Sequence, residues 1–125
     1  MAGKAERSSM IQSYRDLTAW QKGMDLVEET YRIVKCLPKE ELFALSGQMR
    51  RAAVSIPSNI AEGYARRAPK DYARFLAIAR GSVNELQTQL LLCVRLGYIH
   101  EEEIGRADLL CEEVNKILYS ILAKL

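Results

Sequence analysis

Three features of this sequence predict an all-α fold, an antiparallel up-down-up-down four-helix bundle. Apolar residues step by three and four through four successive stretches, the spacing of one helix face. No stretch alternates with the period of two that a half-buried strand requires. The breaks between stretches are short and carry proline or glycine, so consecutive helices must fold back on one another. The mixed three-four step further predicts shallow, left-handed packing.

The segment from Met1 to Tyr14 is polar and without period; it reads as a flexible tail over residues 1–14, with the bundle occupying residues 15–125. The first helical seam is Leu17, Trp20, Met24, Val27, Tyr31 and Val34, ended by Leu37-Pro38, with a short helical turn then running through Leu42. Ser46 is the candidate N-cap of the second helix, whose seam is Met49, Ala53, Ile56, Ile60 and Tyr64. Pro69 is placed to open the third helix, lined by Tyr72, Phe75, Ala79, Val83, Leu86, Leu90 and Cys93. Gly97 suits a left-handed cap after it. His100 and three glutamates begin the fourth, where carboxylates favour the helix dipole, and Ile104, Ala107, Cys111, Val114, Leu118 and Ile121 form its seam.

Pro57 falls inside the second seam. A proline there removes a backbone donor and collides with the preceding turn, at about 3 kcal/mol. Either the helix kinks at Pro57, or it breaks and Ser55 caps a new helix. A polar stripe of Gln48, Arg51, Ser55, Asn59 and Glu62 runs beside the same seam, and Ser82, Glu85 and Gln89 form its counterpart on the third helix. Folding the two about Arg67 to Pro69 pairs Gln48 with Gln89, Arg51 with Glu85 and Ser55 with Ser82. The expectation is a structural polar ladder containing an Arg51–Glu85 ion pair, with Ser55, Ser82 and Gly81 permitting close helix approach.

At 125 residues the chain fits one domain, and 49% hydrophobic content supplies a core. The three cysteines, Cys36, Cys93 and Cys111, are odd in number and share no short spacing. With no leader-like start, they point to the cytoplasm, each expected as a small buried hydrophobe. No apolar run has the roughly 20 residues a membrane span needs. The single histidine, the absence of an activated nucleophile and the lack of phosphate-loop, zinc or Glu-x-x-His spacing argue against an enzyme, a metal or a cofactor.

Net charge is only +2, below that of a dedicated nucleic-acid binder, but the charge is uneven. Arg66, Arg67, Lys70 and Arg74 gather at the corner between the second and third helices, close in sequence to Tyr64 and Tyr72. Arginine beside aromatic rings suits phosphate contact and base stacking, and these four are the candidate nucleic-acid-binding residues. A solvated helix corner would read the same way. Leu91, Leu92 and Leu96, with Ile33, Leu110 and Ile117, lie outside the seams and imply self-association.

The segments YRDLTAWQKGMDLVEETY, GQMRRAAVSIPSNIAEGYARR, DYARFLAIARGSVNELQTQLLL and LGYI resemble the four-helix-bundle family of 23S ribosomal RNA intervening-sequence proteins. The resemblance implies a ring-like homopentamer with an RNA-related context and carries no catalytic residues. It also implies kinship with the accessory variability proteins of diversity-generating retroelements. The expected function is therefore a non-enzymatic, oligomeric RNA-binding or ribonucleoprotein scaffold. The alternative is an accessory adaptor subunit for a reverse transcriptase.

Overall fold

The computed structural model describes residues 11–125, so residues 1–10 of the tail expected over residues 1–14 lie outside the described residues. Four helices form: α1 Thr18–Val34, α2 Leu45–Ala65, α3 Pro69–Arg95 and α4 Gly105–Ala123. No strand occurs among the described residues. Contacts run α1 to α2, α2 to α3, α3 to α4 and α4 back to α1, the closed circuit of an up-down-up-down bundle.

Order begins earlier than the expected boundary at residue 15. Tyr14–Asp16 form a 3-10 turn in which the Arg15 amide donates to Ser13 Oγ (3.2 Å) and the Asp16 carboxylate receives the Gln12 and Ser13 amides. Tyr14 meets the Trp20 ring edge-on at 5.3 Å. A second 3-10 turn, Lys39–Glu41, follows Pro38. The α3 terminus closes on Gly97 at φ 78°, with the Tyr98 amide donating to the Cys93 carbonyl and the Gly97 amide to the Val94 carbonyl. This paired arrangement satisfies end carbonyls that have no helical partner. Before α4, the His100 amide donates to the Glu103 carboxylate at 2.7 Å.

The expected seams of α2, α3 and α4 supply most of the core: Met49, Ala53, Ile56, Ile60, Ala79, Val83, Leu86, Leu90, Cys93, Ala107, Cys111, Val114 and Leu118 are fully buried. The α1 seam is rotated from expectation. Its buried residues are Ala19, Gly23, Leu26, Glu29, Thr30, Ile33 and Val34, while Met24 and Tyr31 are exposed and Trp20 and Val27 only partly covered. The cause is close packing. A Cβ at Gly23 would lie 3.4 Å from Ile56 Cγ2 and 3.6 Å from the Pro57 ring, so small residues must face α2 here. Polar atoms on this face are satisfied: Thr30 Oγ1 donates to the Leu26 carbonyl at 2.7 Å, and Glu29 pairs with Arg32 and, at 3.8 Å, with Arg106.

Helix α2 is continuous through Pro57, which excludes the break and the Ser55-capped second helix. Pro57 is buried beside Gly23 of α1. The Asn59 side-chain Nδ2 donates to both the carbonyl and the hydroxyl of Ser55, each at 2.8 Å, fastening the turn that contains the proline. Ser46 does not cap α2: Ala44 holds the N-cap position, and Ser46 is buried within the first turn. Ile33 and Leu110 belong to the buried core, and Ile117 is partly buried against it, so the first two add nothing to the exposed apolar surface. Leu91, Leu92 and Leu96 do remain exposed along α3. Cys93 and Cys111 are buried, whereas Cys36 is exposed, contrary to the expectation for all three.

Candidate nucleic-acid interface

The corner between α2 and α3 is built on a glycine. A Cβ at Gly63 would fall 2.8 Å from Phe75 Cβ, 3.1 Å from Tyr72 Cδ1 and 3.4 Å from the Tyr72 carbonyl oxygen. Only the missing side chain lets the end of α2 lie against the first turns of α3. The chain then leaves α2 in extended conformation at Arg66 and re-enters a helix at Pro69, whose lost donor costs nothing in the first turn.

Arg66, Arg67, Lys70 and Arg74 are all exposed around this corner. The Phe75 ring gathers two of them, with the Arg66 guanidinium 5.1 Å and the Arg74 guanidinium 4.6 Å from its centroid. Cations over an aromatic face are held by the ring quadrupole and keep their N–H groups available to an outside acceptor. Tyr64 and Tyr72 meet edge-to-face at 6.2 Å between the same two helices. Burial, with a smaller effect from Tyr64, raises the Tyr72 pKa and keeps its phenol protonated. Arg66 donates to Glu62 at 2.7 Å, so part of its charge is already answered. Among the described residues, Arg67, Lys70 and Arg74 form no ion pair. Asp71 is the other carboxylate in this stretch, leaving four cations against two anions.

The polar stripe between α2 and α3 has a different outcome at each rung. Ser55 Oγ and Ser82 Oγ lie 2.8 Å apart across the helices. Asn59 joins this pair through Ser55. The outer rungs do not close. Arg51 and Glu85 are exposed and form no ion pair, correcting the expected one. Both are long side chains at the rim, where water solvates each charge and an exposed pair gains at most about 1 kcal/mol. Gln48 is exposed while Gln89 is buried, its Oε1 lacking a partner among the described residues. Gly81, expected to allow close approach, faces open space; Gly63 has that role.

A second polar seam, between α3 and α4, was not apparent in the sequence. Asn115 donates to Asn84 Oδ1 at 2.9 Å, Gln87 to Asp108 Oδ1 at 3.1 Å, and the Arg80 guanidinium lies 5.3 Å from the Tyr119 ring centroid. Short amide and carboxylate side chains at matching heights were its only signal, and such residues are common on solvated faces.

Among the described residues no helix is long and apolar enough to cross a membrane, and no group of three metal-ligating side chains occurs. No curated protein matches the chain. A crystal structure of a protein of unknown function from the S23 ribosomal protein family of Bacteroides thetaiotaomicron VPI-5482 is similar, with a TM-score of 0.78 at 28% identity. The match covers 84% of this chain and 98% of that one. The model of the 23S rRNA-intervening sequence proteins matches residues 15–120, from the capped turn before α1 almost to the end of α4. The chain therefore belongs to the 23S rRNA-intervening sequence protein family.

Proposed function

We propose that this protein is a non-enzymatic, oligomeric scaffold that binds RNA through the basic corner between α2 and α3. The carrying observation is the exposure of Arg67, Lys70 and Arg74 without ion-pair partners, beside an aromatic cluster that props Arg66 and Arg74 outward. Phosphate contacts from such residues are sequence-tolerant, and guanidinium planes stack on bases. The ribosomal RNA context in the family description favours RNA as the polyanion.

Self-association is part of the proposal. Leu91, Leu92 and Leu96 are 55%, 41% and 55% exposed on one stretch of α3, apolar surface that a neighbouring copy would cover. A chain of net charge +2 binds a polyanion weakly alone. A closed ring, five copies by the family resemblance, repeats the corner and gains avidity on a strand long enough to reach several copies.

The test is RNA binding by fluorescence anisotropy at low and moderate salt, with short and long strands. Affinity should rise with strand length and fall steeply with salt, because each phosphate contact releases counterions. Arg66→Glu/Arg67→Glu/Lys70→Glu should abolish binding while leaving the helical circular dichroism spectrum intact. Equal affinity in the variant removes the corner from the mechanism. No binding by the native protein at low salt instead favours an adaptor that meets nucleic acid only within a complex, such as one with a reverse transcriptase.

A further inference from the structure

We propose that Phe43 is a docking anchor that inserts into the groove beside Leu91 and Leu92 of a second copy of this chain. The contact rests on the self-association in the proposed function and is independent of RNA binding. Phe43 is 93% exposed, against 63% for Tyr119, the next most exposed large apolar side chain among the described residues. Single surface leucines are ordinary in a folded protein, but an aromatic ring with almost no cover from its own chain marks a contact surface.

The turn that carries Phe43 is fastened from both flanks. The Glu41 carboxylate accepts from the Tyr98 hydroxyl at 2.7 Å and from the Leu45 amide at 3.3 Å. The Arg50 guanidinium donates to the Leu42 carbonyl at 3.3 Å, and the Ala44 amide to the Glu41 carbonyl at 3.0 Å. Leu42 and Ala44 are the chain neighbours of Phe43, so its backbone is held while its ring stands in water. An anchor presented this way has little backbone freedom left to lose on insertion, which favours binding.

The groove lies where α3 runs into the turn before α4. It measures about 490 Å³ and is lined by Thr88, Leu91, Leu92, Val94, Arg95 and Glu101, so Phe43 does not fill it within one chain. Charge selects a second copy as the occupant. Lys39 and Glu40 precede Phe43, while Arg95 and Glu101 rim the groove. All four are exposed, and none forms an ion pair among the described residues. One cation and one anion beside the anchor thus face one of each beside the groove: Glu40 answers Arg95, and Lys39 answers Glu101. A partner carrying a single sign of charge would leave one rim charge unanswered, and such complementarity fixes partner and register more than affinity. Anchor and groove are different surfaces. Each copy therefore gives Phe43 to one neighbour and receives it from another, a heterologous contact that repeats until it closes.

The experiment is sedimentation equilibrium of the full chain over a wide concentration range, with circular dichroism to confirm that each variant is helical. Phe43→Ser should weaken association at least about tenfold, as loss of an aromatic anchor does, and Leu91→Glu/Leu92→Glu should do the same. All three side chains are exposed, so the helical spectrum should not change. Mixed in equal amounts at high concentration, the two variants should form a one-to-one pair, because the first keeps its groove and the second its anchor. No larger species should appear, since neither can pass the contact on. Glu40→Arg should weaken the native assembly, and Glu40→Arg/Arg95→Glu should restore it. A monomeric native protein overturns self-association and this contact together. An oligomer indifferent to Phe43→Ser overturns the anchor while leaving self-association standing. An oligomer indifferent to Leu91→Glu/Leu92→Glu, or two dissociated variants that form no mixed pair, overturns the groove as the place where Phe43 docks. Failure of the charge exchange to restore assembly overturns the pairing of Glu40 with Arg95.

Discussion

Gly63→Ala places a methyl group where α2 and α3 are closest. In an open helix position this substitution stabilises by about 1 kcal/mol, since alanine loses less backbone entropy. At Gly63 the new Cβ meets Phe75 Cβ at 2.8 Å and the Tyr72 carbonyl at 3.4 Å. Neither is the free end of a flexible side chain, so relief requires the helices to part by roughly half an ångström. Overpacking of this kind costs about 1–3 kcal/mol, and the rigidity of both neighbours puts Gly63 at the upper end. The net expectation is a loss of about 2 kcal/mol, or roughly 6–12 °C in melting temperature for a domain of this size. Gly81→Ala is the matched control: same helix chemistry, nothing within 4 Å, and an expected gain of about 0.5–1 kcal/mol. Both are measured by urea and thermal denaturation followed at 222 nm, at several protein concentrations to separate folding from association. A Gly63→Ala variant as stable as the native protein would refute the close approach that builds the corner.

Ser55→Ala removes the partner of the buried Ser82 hydroxyl and one acceptor of Asn59, and should cost about 1–2 kcal/mol; Ser55→Ala/Ser82→Ala should recover part of it, as read from urea midpoints. Glu85→Ala should leave stability within about 0.5 kcal/mol, because the charge is exposed and unpaired; a loss of several kcal/mol would show that it meets Arg51 after all. Burial holds the Cys93 and Cys111 thiols up at about 11 and about 12, so the folded chain keeps protons that the unfolded chain releases near pH 9. Stability should therefore be unaffected by these groups below pH 9 and decline between pH 9 and 12, checked by urea midpoints across that range. In native conditions a thiol reagent should modify Cys36 alone, and all three cysteines in urea.

Helix number, order and most core positions of α2, α3 and α4 were readable because their bulky apolar residues are the ones that face inward. In α1 the same rule failed. Trp20, Met24 and Tyr31 are the larger residues, but the face that turns inward is the one carrying Gly23, which lies against Ile56 and Pro57 of α2. Periodicity reports which residues share a face, not how near the neighbouring backbone comes. The polar contacts were legible where side chains were short: Ser55 and Ser82 can meet only at the helix contact, while Arg51 and Glu85 have the length to reach water instead. The corner cations were visible as a cluster, yet the Phe75 ring that gathers two of them was legible only as a seam residue.

Pro57 makes α2 a helix that its own sequence opposes. A peptide of residues 45–65 alone would carry the proline penalty with neither α1 to cover the ring nor α3 to meet Ser55. The second half of α2 therefore depends for its conformation on neighbours distant in sequence. Such dependence couples local opening to global unfolding. Release of α1 uncovers Pro57, the middle of α2 loses its support, and the rungs to α3 go with it. Hydrogen exchange at the centre of α2 should accordingly proceed only through complete unfolding, with the same protection as the core of α3, while fraying stays confined to the helix ends.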